Sequence, residues 1–247
     1  MKVGLAAAVL CGGRGERLRP LTDYFQKSMI PLGENKRPLL EYIVRLLAFH
    51  GVGSITMLAG YRMKEIHDYF KDGSRFGVRI NYSKDPADGY GSLGALANAL
   101  RSGSIPSCDI LVVYYGDILS DLDITSLVRL HRGKGADATL VLSRGYTLPV
   151  GVAKVRNGRV RAMVEKPRMS LNVTMGCMAL GPRAMGLAKR AAKGPKGDLM
   201  SDFVPALLRK RYTVASFYTK GIWHDIGTLA TYEKVNSELR DEMLSYL

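Results

Sequence analysis

No run in the 247-residue sequence approaches the about 18 consecutive apolar residues of a membrane helix, so no membrane span is expected. Cysteine is scarce. Cys11, Cys108 and Cys177 are odd in number, widely spaced and set among apolar residues, which argues against a disulfide framework or a zinc site and for buried thiols in a cytoplasmic protein. There is no Pro/Ser-rich linker, internal repeat or low-complexity tract, and a 47% hydrophobic content is enough for one packed core, so one domain over residues 1–247 is expected. The N-terminus imitates a signal peptide, with Lys2 before a short apolar run. Leu10 nevertheless stands where a cleavage site wants a small residue, and the arginine-rich continuation fits a loop after a buried strand better. Acidic residues are few, 22 against 36 Lys and Arg for a net charge of +14. The imbalance is concentrated: 144–211 carries 15 Lys and Arg against Glu165, Asp198 and Asp202, a net +12 that suits an anionic substrate or partner. No nucleic-acid module is recognisable there, so no specific nucleic-acid partner is expected.

Apolar strand patterns at 5–10, 54–58, 78–82 and 110–115 alternate with helical patterns at 38–50, 63–70 and 93–100. That alternation predicts an α/β fold with a Rossmann-like, mostly parallel sheet flanked by helices. Ligands in such sheets bind outside the carboxyl ends of the strands. Asp121 or Asp123 is positioned to cap a helix running to about Arg132, and 138–142 reads as another strand. The second half changes character. Asn157-Gly158 joins strands at 151–155 and 159–164 as a hairpin, followed by a strand at 173–180, helices at 182–192 and 198–209, a last strand at 212–218 and a closing helix ending near Met243.

Between the first strand and Lys27 lies LCGGRGERLRPLTDYFQK. Gly12, Gly13 and Gly15 let backbone take φ > 0 or approach a ligand, and successive N–H groups in such a turn form an anion nest. A P-loop needs Lys and then Ser or Thr after its last glycine, but Gly15 is followed by Glu16, Arg17 and Leu18. A dinucleotide fingerprint starting at Gly13 would need its third glycine where Leu18 stands. What remains, G-G-x-G-x-R-L-x-P-L-T with a downstream lysine, resembles the signature loop of the sugar-1-phosphate nucleotidylyltransferases, the nucleotide-sugar pyrophosphorylases. The resemblance extends along nearly the whole chain: Tyr-Gly-Asp ending at Asp117, Gly151-Val152, Glu165-Lys166-Pro167, and W-H-D-I-G-T around Asp225.

The resemblance implies transfer of a nucleotidyl group from a nucleoside triphosphate to a sugar-1-phosphate, with pyrophosphate leaving and magnesium (Mg2+) required. The features around 75–96 are most similar to the mannose- and heptose-1-phosphate guanylyltransferases, with glucose-1-phosphate thymidylyl- and uridylyltransferases next. It implies a nucleotide-binding part at about 1–143 and a smaller sugar-phosphate-binding lobe with a closing helix at about 144–247. No hexapeptide β-helix repeat, found in some relatives, follows the last motif. Carried onto this chain, the catalytic residues are Arg17 and Lys27, and Leu10, Gly12, Gly13, Gly15, Asp85 and Gly91 bind nucleotide. Gly151, Glu165, Lys166 and Thr174 bind the sugar phosphate, and Asp117 and Asp225 hold the metal. The family pattern around the lysine is P-K-P. Here it is Gln26-Lys27-Ser28, and loss of prolines that fix φ should loosen Lys27. A catalytically weak regulatory subunit that binds nucleotide sugars is therefore the first alternative, a nucleic-acid-binding protein, motivated by the +12 stretch, is the second, and a homo-oligomer is left open.

Overall fold

The computed structural model describes residues 3–85, 91–148, 150–191, 197–244 and 246. Thirteen strands follow in chain order: β1 (Val3–Leu10), β2 (Pro31–Leu32), β3 (Arg37–Pro38), β4 (Ser54–Ala59), β5 (Arg79–Lys84), β6 (Cys108–Tyr115), β7 (Ile118–Ser120), β8 (Ala138–Thr147), β9 (Val152–Arg156), β10 (Arg159–Val164), β11 (Arg168–Leu180), β12 (Val214–Thr219) and β13 (Trp223–Asp225). The helices are α1 (Leu21–Tyr24), α2 (Leu39–Phe49), α3 (Met63–Phe70), α4 (Ser92–Ser102), α5 (Ile124–Gly133), α6 (Pro182–Ala191), α7 (Val204–Arg209) and α8 (Leu229–Glu238).

Seven strands form the main sheet in the order β12-β8-β11-β6-β1-β4-β5. β1 is parallel to both β4 and β6, β4 to β5 and β8 to β12, while β11 alone runs against its neighbours β6 and β8. This is the mostly parallel sheet flanked by helices that the alternating pattern predicts. Burial on both faces explains why β1 reads as a continuous apolar run. Ala7 and Val9 join a core with residues of α2, α3 and α5, whereas Ala6 and Ala8 join the opposite core with α4, α6 and α7. α2 buries Leu39, Leu40, Ile43, Leu46 and Leu47 at helical spacing and stops where Gly51 takes φ 77°. Asp123, not Asp121, caps α5 by accepting from the Ser126 N–H. In the β9–β10 hairpin Asn157 (φ 51°) and Gly158 (φ 69°) are both left-handed, as a type I′ turn requires.

Three features differ from the sequence reading. β8 and β11 extend to Thr147 and back to Arg168, beyond the ranges expected; both outer ends are largely exposed, and in β11 Met169, Leu171 and Val173 alternate with polar residues, a strand period that the sequence reading does not use. The closing helix stops at Glu238 rather than near Met243. Leu239 turns to an extended conformation (φ −70°, ψ 122°) and buries its side chain, and Asp241–Met243 form a separate 3-10 turn. The short β7–β13 ladder was not foreseen; three residues per strand are too few to show a period. Among the described residues no helix is long and apolar enough to cross a membrane.

Gly116, between β6 and β7, has no space for a side chain: an added Cβ would meet the Leu10 carbonyl oxygen at 2.7 Å and Ser28 Oγ at 2.9 Å. Gly133, at the end of α5, has nothing within 4 Å. Gly116→Ala should therefore lower unfolding free energy by roughly 1–3 kcal/mol. Gly133→Ala should be neutral or stabilising by up to ~1 kcal/mol. Equal urea midpoints for the two variants would contradict this packing.

Candidate active site

The loop after β1 lies over the carboxyl ends of β1 and β6. Only Gly15 among its three glycines takes a left-handed conformation (φ 67°), and it does so beneath Thr22 and Lys27, whose side chains lie 2.8 and 2.9 Å from where a Cβ would sit. Thr22 Oγ1 donates to the Gly15 carbonyl at 3.0 Å and closes the turn. Gly12 serves close approach instead, since a Cβ there would lie 2.4 Å from Asp85 Oδ2, and Gly13 is exposed. Asp85 is held at the end of β5 by its N–H donating to the Ala59 carbonyl. Its Oδ1 is buried without a hydrogen-bond partner, and burial raises its pKa from 3.8 to about 6. Gly91 is the N-cap of α4, and Leu10 ends β1. The structure thus brings Gly12 and Asp85 together.

Lys27 begins a 3-10 turn, Lys27–Met29, and its Nζ lies 2.5 Å from Asp117 Oδ2, with both side chains mostly buried at 13% and 24% exposure. The expected loosening of Lys27 is not what the structure shows. Gln26 is fully buried, its Nε2 donates to the Cys11 carbonyl at 2.6 Å, and its Oε1 accepts from the Ser28 N–H at 2.7 Å. Its own N–H donates to Glu65 Oε2 at 2.8 Å, which a proline could not do. Hydrogen bonds within its own turn and to two other segments replace the rigidity of the missing prolines. Gln26 is the residue that sequence reasoning undervalued; the departure from the family pattern at that position was itself the signal.

Asp225 reaches the same place by a different route. In the β7–β13 ladder it pairs with Ile118, and the Ile226 N–H donates to the Asp117 carbonyl at 2.8 Å, so the two aspartates end adjacent segments. Burial and then the neighbouring Asp117 push the Asp225 pKa up, against the opposing pull of Lys27 and Arg17. Arg17 Nη2 and Asp225 Oδ1 lie 3.3 and 2.8 Å from the point where a Cβ on Gly227 would sit. Arg17, Lys27, Asp117 and Asp225 therefore converge. Among the described residues no group of three or more His, Cys, Asp or Glu side chains could hold a metal ion by itself.

A cavity of about 1140 Å³ opens beside Arg17 and Asp225, walled by the ends of β8, β12 and β13 and by Arg168 at the start of β11. Of the sugar-side candidates, Gly151 and Glu165 meet, with Glu165 Oε2 lying 2.9 Å from a Cβ on Gly151. Lys166 takes φ 45° in the turn before β11, and Thr174 is exposed opposite Leu142. None of these four lines the cavity.

A mostly parallel sheet carrying a glycine loop, a lysine–aspartate pair and a second aspartate at its carboxyl edge belongs to a defined class. The nucleotidyl transferase family matches residues 6–242, and the chain belongs to that family. It is 32% identical over 244 residues to the UTP–glucose-1-phosphate uridylyltransferase of Synechocystis sp., covering 92% of this chain but 61% of that protein, so it spans about three fifths of that relative's length. It is 29% identical over 241 residues to the D-glycero-alpha-D-manno-heptose 1-phosphate guanylyltransferase of Aneurinibacillus thermoaerophilus, covering 96% of this chain and 99% of that one. In fold it is similar to HddC from Yersinia pseudotuberculosis, solved with GMP-PN, at a TM-score of 0.72 and 20% identity over 95% of this chain and 99% of that one.

Two outcomes check this geometry. Gln26→Met keeps volume but strands the Cys11 carbonyl and the Ser28 N–H, and should cost roughly 1–3 kcal/mol per stranded group in urea unfolding; an unchanged midpoint would contradict the anchoring role. Because the Asp85 pKa is raised to about 6, the neutral acid is favoured on folding. Its contribution to stability is present below about pH 4 and lost as pH rises through about 6. The melting temperature of Asp85→Asn should accordingly rise relative to the parent between pH 4 and pH 7.5, and a difference independent of pH would refute the burial.

Proposed function

We propose that the chain transfers a nucleotidyl group from a nucleoside triphosphate to a sugar-1-phosphate, giving a nucleoside-diphosphate sugar and pyrophosphate. The observation that carries this reading is the convergence of Lys27, Asp117, Asp225 and Arg17 beneath the glycine loop. A phosphate oxygen of the sugar-1-phosphate attacks the α-phosphorus, a new P–O bond forms, and the bond from that phosphorus to the β-phosphate oxygen breaks. Such a reaction asks the protein for positioning and charge stabilisation. Lys27, pinned by Gln26 and Asp117, presents a fixed ammonium to the α-phosphate as charge grows there. Arg17, exposed at the cavity mouth, presents its planar fork to the departing pyrophosphate. Backbone N–H groups at Gly12, Gly13 and Gly15 approach the phosphates, and Leu10, Gly91 and Asp85 flank the nucleoside, Asp85 facing the base. Glu165 accepts from ring hydroxyls that Gly151 leaves room for, Lys166 pairs with the sugar phosphate, and Thr174 borders the sugar.

Asp117 and Asp225 lie side by side, and burial and then Asp117 raise the Asp225 pKa against the pull of Lys27 and Arg17. That donor set fits a hard divalent cation: magnesium uses one or two carboxylates and completes its shell with substrate phosphates and water. Asp117 and Asp225 would hold it. When bound it supplies charge neutralisation on the phosphates.

The guanylyltransferase relative and the donor-free carboxylate of Asp85 support GTP with mannose- or heptose-type 1-phosphates first, and UTP or dTTP with glucose-1-phosphate next. We assign residues 1–143 to the nucleotide and 144–247 to the sugar phosphate and the closing helix. The buried Cys11, Cys108 and Cys177 support a reducing, cytoplasmic setting.

Pyrophosphate release with magnesium, screened across triphosphates and sugar-1-phosphates, should find at least one productive pair. For that pair Lys27→Ala and Arg17→Ala should each lower turnover on the order of 10²–10³-fold, with Arg17→Ala melting near the parent. Near-normal turnover in both variants would overturn the assignment.

A further inference from the structure

The cavity beside Asp225 carries more positive charge than one sugar phosphate needs. Arg144, Arg168 and Lys220 line it together with Arg17, and Asp225 is the only carboxylate among its described lining residues. His224, also in the wall, has its pKa lowered by burial and adds no fixed charge at neutral pH. Among the described residues no carboxylate pairs with Arg144, Arg168 or Lys220.

Two of these cations are nevertheless held in place. Arg144 stacks its guanidinium over the Tyr218 ring, 4.6 Å from the centroid. Arg168 lies across Gly145, Nε 2.7 Å from the position of an added Cβ, and donates through Nη2 to the Arg144 carbonyl at 3.3 Å. A stacked or singly bonded guanidinium keeps most of its five donors for a ligand. Among the uncharged lining residues, which also include a serine, threonines and glycines, Tyr146 and Trp223 offer flat apolar faces that suit the C–H face of a ring, which free pyrophosphate does not have. Positive groups without acidic partners, gathered beside aromatic side chains in one recess, form a receptor for an organic acid rather than for inorganic phosphate alone.

Resting on the reading that the acceptor is a sugar-1-phosphate, we infer that this cavity selects a sugar-1-phosphate bearing a second acidic group, a carboxylate or another phosphate, held by Arg144, Arg168 and Lys220. The 1-phosphate stays at the Arg17–Asp225 end, and the second anion is held by the arginines. A charge-assisted hydrogen bond to each guanidinium makes a preference on the order of ten- to a hundredfold in kcat/KM over the neutral sugar the expected outcome.

The test uses the full chain with magnesium and compares glucose-1-phosphate, glucuronic acid 1-phosphate and glucose 1,6-bisphosphate, both by pyrophosphate release and by calorimetric titration. At least one acidic sugar should be preferred, and which one wins separates a carboxylate from a phosphate ligand. In Arg144→Gln with Arg168→Gln, exposed positions whose replacement leaves the core intact, the acidic-to-neutral ratio should collapse toward one. Glucose-1-phosphate performing as well as both acidic sugars in both assays overturns the inference while leaving the transferase reading in place. An acidic preference that survives the double substitution also overturns the assignment of these residues. If acidic sugars bind preferentially and no sugar turns over with any triphosphate, the transferase reading fails and the cavity assignment stands.

Discussion

The contact between Lys27 and Asp117 joins two segments that are ninety residues apart, and the rest of the site takes its shape from it. For the ammonium to reach the end of β6, the glycine loop must fold back over the sheet, which is why Gly15 turns left-handed beneath Lys27 and why Gly116 cannot bear a side chain against Leu10. A half-buried ion pair costs desolvation that its Coulomb energy only partly offsets. The surrounding structure therefore supplies the rigidity: Gln26 is hydrogen-bonded to Cys11, Ser28 and Glu65, so Lys27 enters the site from a backbone that is already fixed.

From that point the sheet distributes charge. Parallel strands on either side of β1 end at the same edge, which places the glycine loop, Asp85 and Asp117 together, and the β7–β13 ladder returns Asp225 to that edge from the far end of the chain. Reversal of β11 against β6 and β8 carries Arg168 to the same side, where it lines a cavity with Arg144, while Lys154, Arg156, Arg159 and Arg161 of the β9–β10 hairpin stay exposed.

Much of this was legible in the residues. The apolar runs of β1, β4 and β6 are buried on both faces and read as such, and Asn157-Gly158 specified its turn outright. Arg17, Lys27, Asp117 and Asp225 are the positions that the motifs singled out, and the structure draws them together. Less legible were contacts whose logic is three-dimensional. Gln26 shows only as a departure from the family pattern, and its importance lies in a buried amide that ties its own turn to Cys11, a contact that only the folded chain brings near. The outer end of β8, Ser143 to Thr147, carries polar and basic residues without alternation, so that strand and the cavity it walls could not be read from pattern, whereas Met169, Leu171 and Val173 of β11 alternate with polar residues and did carry a signal. The end of α8 was misplaced because Leu239 continues the apolar spacing while its backbone leaves the helix to bury that side chain.

The central claim is that Lys27 and Asp117 act as one unit that anchors the loop to the sheet. A double-mutant cycle of Lys27→Met and Asp117→Asn, followed by urea unfolding without substrate or metal, tests it most directly. The account predicts a coupling of about 1 kcal/mol or more, the double variant being scarcely less stable than the worse single one. Additive losses agreeing within about 0.5 kcal/mol would mean that the two residues are neighbours without being partners, and would contradict it.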